Sequence, residues 1–158
     1  MKNNFIQRAI TGAIFIAVLI GGIVSGPIPF TILFSLISAL TIYEFGTIIG
    51  KSGEVQINKS ITILAGIFLF IGFGYLGVAP GKNEILIPYL FLIIYLFVSE
   101  LYLKKKNPVH NWAYAMMSQI YIALPFALLN VLAYHTSSDG SISEYNPILP
   151  LSIFIFNW

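Results

Sequence analysis

The chain contains no cysteine, and charged residues make up only 9% of its 158 residues. The first absence removes disulfide frameworks, thiolate metal sites and thiol nucleophiles. The second reaches further. A soluble domain carries about 25% charged residues, so this chain has too few to cover a surface facing water. Its net charge of +2 is too small for the electrostatic footprint of a nucleic-acid binder. No Ser/His/Asp constellation, phosphate-cradling loop or clustered carboxylate pair occurs in it. His110 and His135 fall in different polar segments, on opposite sides of the expected membrane, and cannot share a metal.

What fills the chain instead is hydrocarbon, since 58% of the residues are hydrophobic. Long apolar runs between short polar segments indicate an all-α, polytopic transmembrane helix bundle, because open strands would leave backbone groups unpaired in lipid. Five full spans are expected, at residues 8–24, 30–49, 61–78, 85–103 and 112–134. Each lies close to the roughly 17–25 residues that a helix needs to cross the hydrocarbon. A sixth apolar run, 148–158, would rise only about 16 Å as a helix. With Pro147 and Pro150 at its start, it reads as a sixth helix cut in half. Residues 1–158 are therefore expected to be the N-terminal transmembrane portion of a larger membrane protein.

The first run has a basic start and small residues after it, as a signal peptide has. The second span follows after only Ser25–Pro29, however, so a retained first helix in a tight hairpin is the preferred reading. Orientation follows from the basic residues. With the N-terminus in the cytoplasm, every lysine and arginine except Lys82 falls on the cytoplasmic side, and Lys82, Glu84, Asp139 and Glu144 fall outside. That is a positive-inside pattern.

Several motifs dissolve on inspection. Gly72–Gly77, GFGYLG, fits a dinucleotide-binding fingerprint literally. It lies inside the third span with no strand before it, so close helix packing explains it better. Gly22 with Gly26, and Gly46 with Gly50, have the same small-residue spacing. Asn58-Lys59-Ser60 resembles a glycosylation sequon on the wrong side of the membrane.

The intramembrane charges carry more. Glu44 sits two turns inside the end of the second span, where a carboxylate should face the bundle interior, a partner or water. It either lines a polar cavity or makes a structural hydrogen bond. Glu100 lies four residues before Lys104 and is expected to pair with it. Arg8, at the start of the first span, is either a topology anchor or a group for a lipid phosphate. Lys104–Lys106 form an anchor first and an anionic-lipid contact second. Arg8 and Glu44 are the candidates for lining a lipid-accessible cavity. No residue is assigned a catalytic or metal-binding role.

Four stretches together resemble the N-terminal half of bacterial phosphatidate cytidylyltransferases, the CDP-diacylglycerol synthases. Residues 8–22, RAITGAIFIAVLIGG, are similar to that family's first helix, and 39–49, ALTIYEFGTII, to its second. Residues 121–132, YIALPFALLNVL, are similar to its Tyr-x-x-Leu-Pro helix, and 151–158, LSIFIFNW, to the apolar helix beyond. The resemblance implies a membrane-embedded nucleotidyltransferase of phospholipid biosynthesis in the bacterial inner membrane. It would convert CTP and phosphatidate to CDP-diacylglycerol and pyrophosphate with Mg²⁺ as cofactor, with a homodimer left open. The family's metal- and phosphate-holding residues follow its tryptophan, so none maps onto this chain, which alone is expected to be inactive. The alternatives are a piece of a secondary transporter, with Glu44 and Glu100 as pathway charges, and a membrane assembly protein without chemistry.

Overall fold

The computed structural model describes residues 2–103, 105–135 and 144–157. Lys104, Asp139 and Trp158, invoked above, lie outside the described residues. Seven helices follow in order: α1 (Lys2–Val24), α2 (Pro27–Gly50), α3 (Lys59–Val78), α4 (Ile87–Tyr102), α5 (Pro108–Ser118), α6 (Leu124–Ala133) and α7 (Ile148–Asn157). A 3₁₀ turn, Asn83–Leu86, leads into α4, and a π-helical segment, Gln119–Ala123, joins α5 to α6. Five continuous helices are long and apolar enough to cross a membrane: Ile6–Val24, Pro27–Gly50, Lys59–Val78, Asn83–Tyr102 and Pro108–Ala133. The five expected spans are all present as helices. The fifth begins at Pro108 rather than at residue 112, because Asn107 turns left-handed (φ 54°) and presents Pro108 as the first helical residue.

The α1–α2 hairpin is set by two residues. Gly26 adopts φ 117°, a conformation closed to residues with a β-carbon, and Pro27 starts α2 with its ring already at helical φ. α2 buries Phe30, Phe34, Ser38, Ile42 and Gly46, a stripe at strict spacing of four along one face. α3 lies at the centre and packs against α2, α4 and α6. Lipid tails are as apolar as leucine, so close approach rather than hydrophobicity must hold such helices together. The GFGYLG run supplies that approach. A β-carbon on Gly72 would meet Leu86 at 2.6 Å, and one on Gly77 would meet Tyr134 at 2.8 Å. Of the spaced glycine pairs, Gly22 and Gly46 lie against side chains (Leu33 and Ile57), whereas Gly26 has no neighbour within 4 Å.

Away from the lysine-bearing loops, a phenylalanine cluster fills the core. Phe30 and Phe34 stack with ring centroids 4.8 Å apart, and Phe34 reaches Phe126 and Phe154. A two-residue antiparallel ladder, β1 (Tyr134–His135) with β2 (Glu144–Tyr145), closes this end. The Tyr145 hydroxyl donates to the Ile23 carbonyl at 2.6 Å, one of the acceptors orphaned where α1 stops. α7 begins with Pro150 in its first turn, where the missing N–H is not needed. It is ten residues long and packs against α6 and α1.

Candidate functional site at the basic end

The alternating helices gather the N-terminal half of α1, the α2–α3 loop and the α4–α5 loop at one end, called here the basic end. A buried polar cluster ties the two loops together there. Glu100, in the last turn of α4, is 3% exposed. Its Oε1 accepts from Lys105 Nζ at 2.8 Å and its Oε2 from Asn111 Nδ2 at 3.0 Å. Lys105 Nζ also donates to the Gln56 carbonyl at 3.0 Å, and the Gln56 N–H donates to Asn111 Oδ1 at 2.7 Å. Asn111 and Lys105 thus each bridge the Glu100 carboxylate to the backbone of one residue of the α2–α3 loop. A buried carboxylate held by these donors acts as a lock, because the polar groups satisfy one another away from water. Among the described residues Glu100 pairs across the loop with Lys105 and Asn111, while its expected partner Lys104 lies outside them.

The second polar group lies on α2 and the start of α3. Asn58 caps α3, its side chain accepting from the Ile61 N–H at 3.3 Å, which is the local role of the sequon-like triplet. Lys59 Nζ donates to Thr47 Oγ1 at 3.0 Å and lies 5.2 Å from the Tyr43 ring centroid. Glu44 is exposed, on the side of α2 opposite the buried stripe, and makes no ion pair or side-chain hydrogen bond among the described residues. It does not face the interior of these helices. Arg8 is likewise exposed on α1, with Gln7, Thr11, Gly12 and Phe15 forming a shallow notch beside it. Arg8 and Glu44 form no salt bridge with each other. His110 lies in the first turn of α5 at the basic end, while His135 pairs with Glu144 in the ladder at the far end.

Deeper in the bundle, two side-chain amides from the fifth span grip the backbone of α3. Gln119 Nε2 donates to the Thr62 carbonyl at 2.9 Å, and Asn130 Nδ2 to the Phe70 carbonyl at 3.1 Å. Each carbonyl stands one turn before a glycine, Gly66 or Gly74, whose missing side chain leaves it accessible. A β-carbon on Gly74 would come within 3.0 Å of Asn130 Oδ1, and one on Gly66 within 3.4 Å of the Ala123 β-carbon. The π segment places Gln119. Pro125 has no N–H for the carbonyl one turn back, and the Leu124 N–H reaches five residues back to Gln119 instead. The extra residue in that turn lets Ser118 and Gln119 both point inward, buried.

Membrane helices, a basic end with an arginine at its edge and a proline-bulged fifth span together frame the comparison with known families. The model of the Cytidylyltransferase family matches residues 6–144. The chain belongs to the cytidylyltransferase family. No curated protein and no solved structure matches it. Three of the four stretches that carry the resemblance fall inside the matched region, and 151–158 lies beyond it. Membership makes the chain a nucleotidyltransferase, a class that brings the phosphorus of a nucleotide to an acceptor group. Among the described residues, no group of three His, Asp or Glu side chains could hold a metal ion.

Sequence reasoning singled out Arg8, Glu44 and Glu100 but missed Asn111, Gln119 and Asn130. For Gln119 and Asn130 the signal was present: a polar amide in an apolar span is expensive unless it finds a partner. The two within the bundle lie on the face that also carries Ala123 and Ala127.

Proposed function

We propose that this cytidylyltransferase acts on a phosphorylated diacyl lipid, converting CTP and phosphatidate to CDP-diacylglycerol and pyrophosphate. A phosphate oxygen of phosphatidate attacks the α-phosphorus of CTP, the α–β phosphoanhydride bond breaks, and pyrophosphate leaves. The observation that carries this reading is membership of the cytidylyltransferase family in a chain of five membrane-crossing helices. An acceptor for such a protein is most readily drawn from the bilayer itself. Arg8 would offer its planar fork to the lipid phosphate, and Glu44 would line the polar approach on the neighbouring helix. The acids needed to hold Mg²⁺ are proposed to lie outside the described residues. The protein would sit in a bacterial cytoplasmic membrane with its N-terminus and the Glu100 lock on the cytoplasmic side, where CTP is found.

The test uses membranes carrying the full-length protein, supplied with phosphatidate and CTP labelled at either the α- or the γ-phosphate. Label should enter lipid from α-labelled CTP alone. Transfer of the γ-label would make the protein a lipid kinase. No transfer to phosphatidate, with transfer to another lipid phosphate, would correct the acceptor.

A further inference from the structure

The face of α1 that carries Arg8 continues as an apolar groove against α7, and the groove is closed at one end. Residues 8, 12, 15, 19 and 23 recur every three or four positions and so share one side of the helix. Below Phe15, that side faces α7 across a groove of about 480 Å³, lined chiefly by Phe15, Leu19 and Ile23 on α1 and Leu151, Phe154 and Ile155 on α7. Its walls are almost wholly hydrocarbon. Its floor is Ile23, fully buried and fixed by the Tyr145 hydrogen bond to its carbonyl. Its other end opens past Phe15 into the notch beside Arg8, where a β-carbon on Gly12 would have no neighbour within 4 Å.

We propose that this groove holds one acyl chain of a phosphatidate molecule whose phosphate is held by Arg8. The inference rests on phosphatidate being the acceptor, and it assigns the place where that acceptor lies. Charge complementarity sets the polarity: the cation marks the headgroup end and the closed apolar floor takes the methyl end. From Arg8 to Ile23 is 15 residues, about 22 Å along the helix axis. One leaflet of hydrocarbon is about 15 Å deep, so an extended chain following the groove passes the bilayer midplane. Long chains therefore gain contacts in the groove that short chains do not reach. Phe15, shared by notch and groove, stands where the glycerol joins the chain.

The test must separate a selected lipid from ordinary bilayer lipid lying in the same groove. The full-length protein in lipid nanodiscs is irradiated with phosphatidate carrying a photoreactive group near the chain terminus, and separately with phosphatidylcholine carrying the same chain. Phosphatidate, whose phosphate monoester offers Arg8 a third free oxygen and no choline cation beside it, should label peptides of α1 and α7 about tenfold more than phosphatidylcholine does, the value of one added charge-assisted contact. Arg8→Gln should remove that preference. Leu19→Trp, which fills the groove, should reduce labelling, whereas Leu90→Trp, on the outward face of α4, should not. Equal labelling by the two lipids, or preference retained in Arg8→Gln, would overturn the assignment. Labelling reads binding and not turnover. An enzyme inactive towards phosphatidate that still shows the preference would refute the proposed reaction and leave the groove. An active one without it would refute the groove alone.

Discussion

At the scale of single residues, the charges that look most alike in the sequence behave differently. Glu44 and Glu100 are both carboxylates near the basic end of a span, yet Glu44 is exposed and Glu100 is sealed in. Losing Lys105 would strand the Glu100 charge, at a cost moderated because the lysine side chain is itself 21% exposed. Lys105→Met should therefore destabilise by about 2 kcal/mol. Adding Glu100→Gln should return part of the loss, since the amide has no charge left to strand. Unfolding of the purified protein in mixed micelles measures both, and a neutral Lys105→Met would show that the lock carries no energy. Tyr145 makes the second residue-scale prediction. Burial, with Tyr134 adding to it, pushes its hydroxyl up to about 12 from 10.0. Folding thus favours the protonated phenol that donates to Ile23. This contribution is complete below pH 10 and is lost as pH rises through about 12. An ultraviolet phenolate titration should show a late-ionising fraction that is smaller by one tyrosine in Tyr145→Phe.

At the scale of elements, the helices were legible and their grip on one another was not. Apolar run length is enough to place a span, so all five expected spans appear as helices, and their ends move by a few residues, as where α1 begins at Lys2 and the fifth span at Pro108. Run length says nothing about which side of a helix meets which neighbour. The Thr62–Gln119 and Phe70–Asn130 bonds join residues 57 and 60 positions apart, and no local pattern announces them. The sites themselves follow the same division. Arg8 and Glu44 stand out by charge alone, whereas Asn111 becomes important only because the fold delivers Gln56 to it. Glycine substitutions test the packing directly. Gly66→Ala would place a β-carbon 2.5 Å from Ile42 Cδ1 and should cost about 1–3 kcal/mol. Gly21→Ala meets nothing within 4 Å and should lie within about 1 kcal/mol of the parent. Equal effects of the two in the micelle unfolding assay would contradict the close approach of α2 and α3.

At the scale of the whole molecule, the absence of cysteine from these 158 residues becomes an experimental advantage, because within them a single introduced thiol reports its own location. The proposed orientation puts Ser52 in the cytoplasm and Lys82 outside. In intact cells an impermeant maleimide should modify Lys82→Cys at once and Ser52→Cys only after permeabilisation; the reverse order would invert the bundle. The five spans are also unequally anchored. α3 is held from several sides, while α1 buries only Ile23 among its described side chains and meets its neighbours near that residue. Mechanically, α1 is a lever with its fulcrum at Ile23 and its load at Arg8. Over an arm of about 22 Å, a tilt of about 10° carries the guanidinium through about 4 Å. That is more than the length of a hydrogen bond, so on the proposed reading a small rocking of one helix would change which partners the guanidinium can reach.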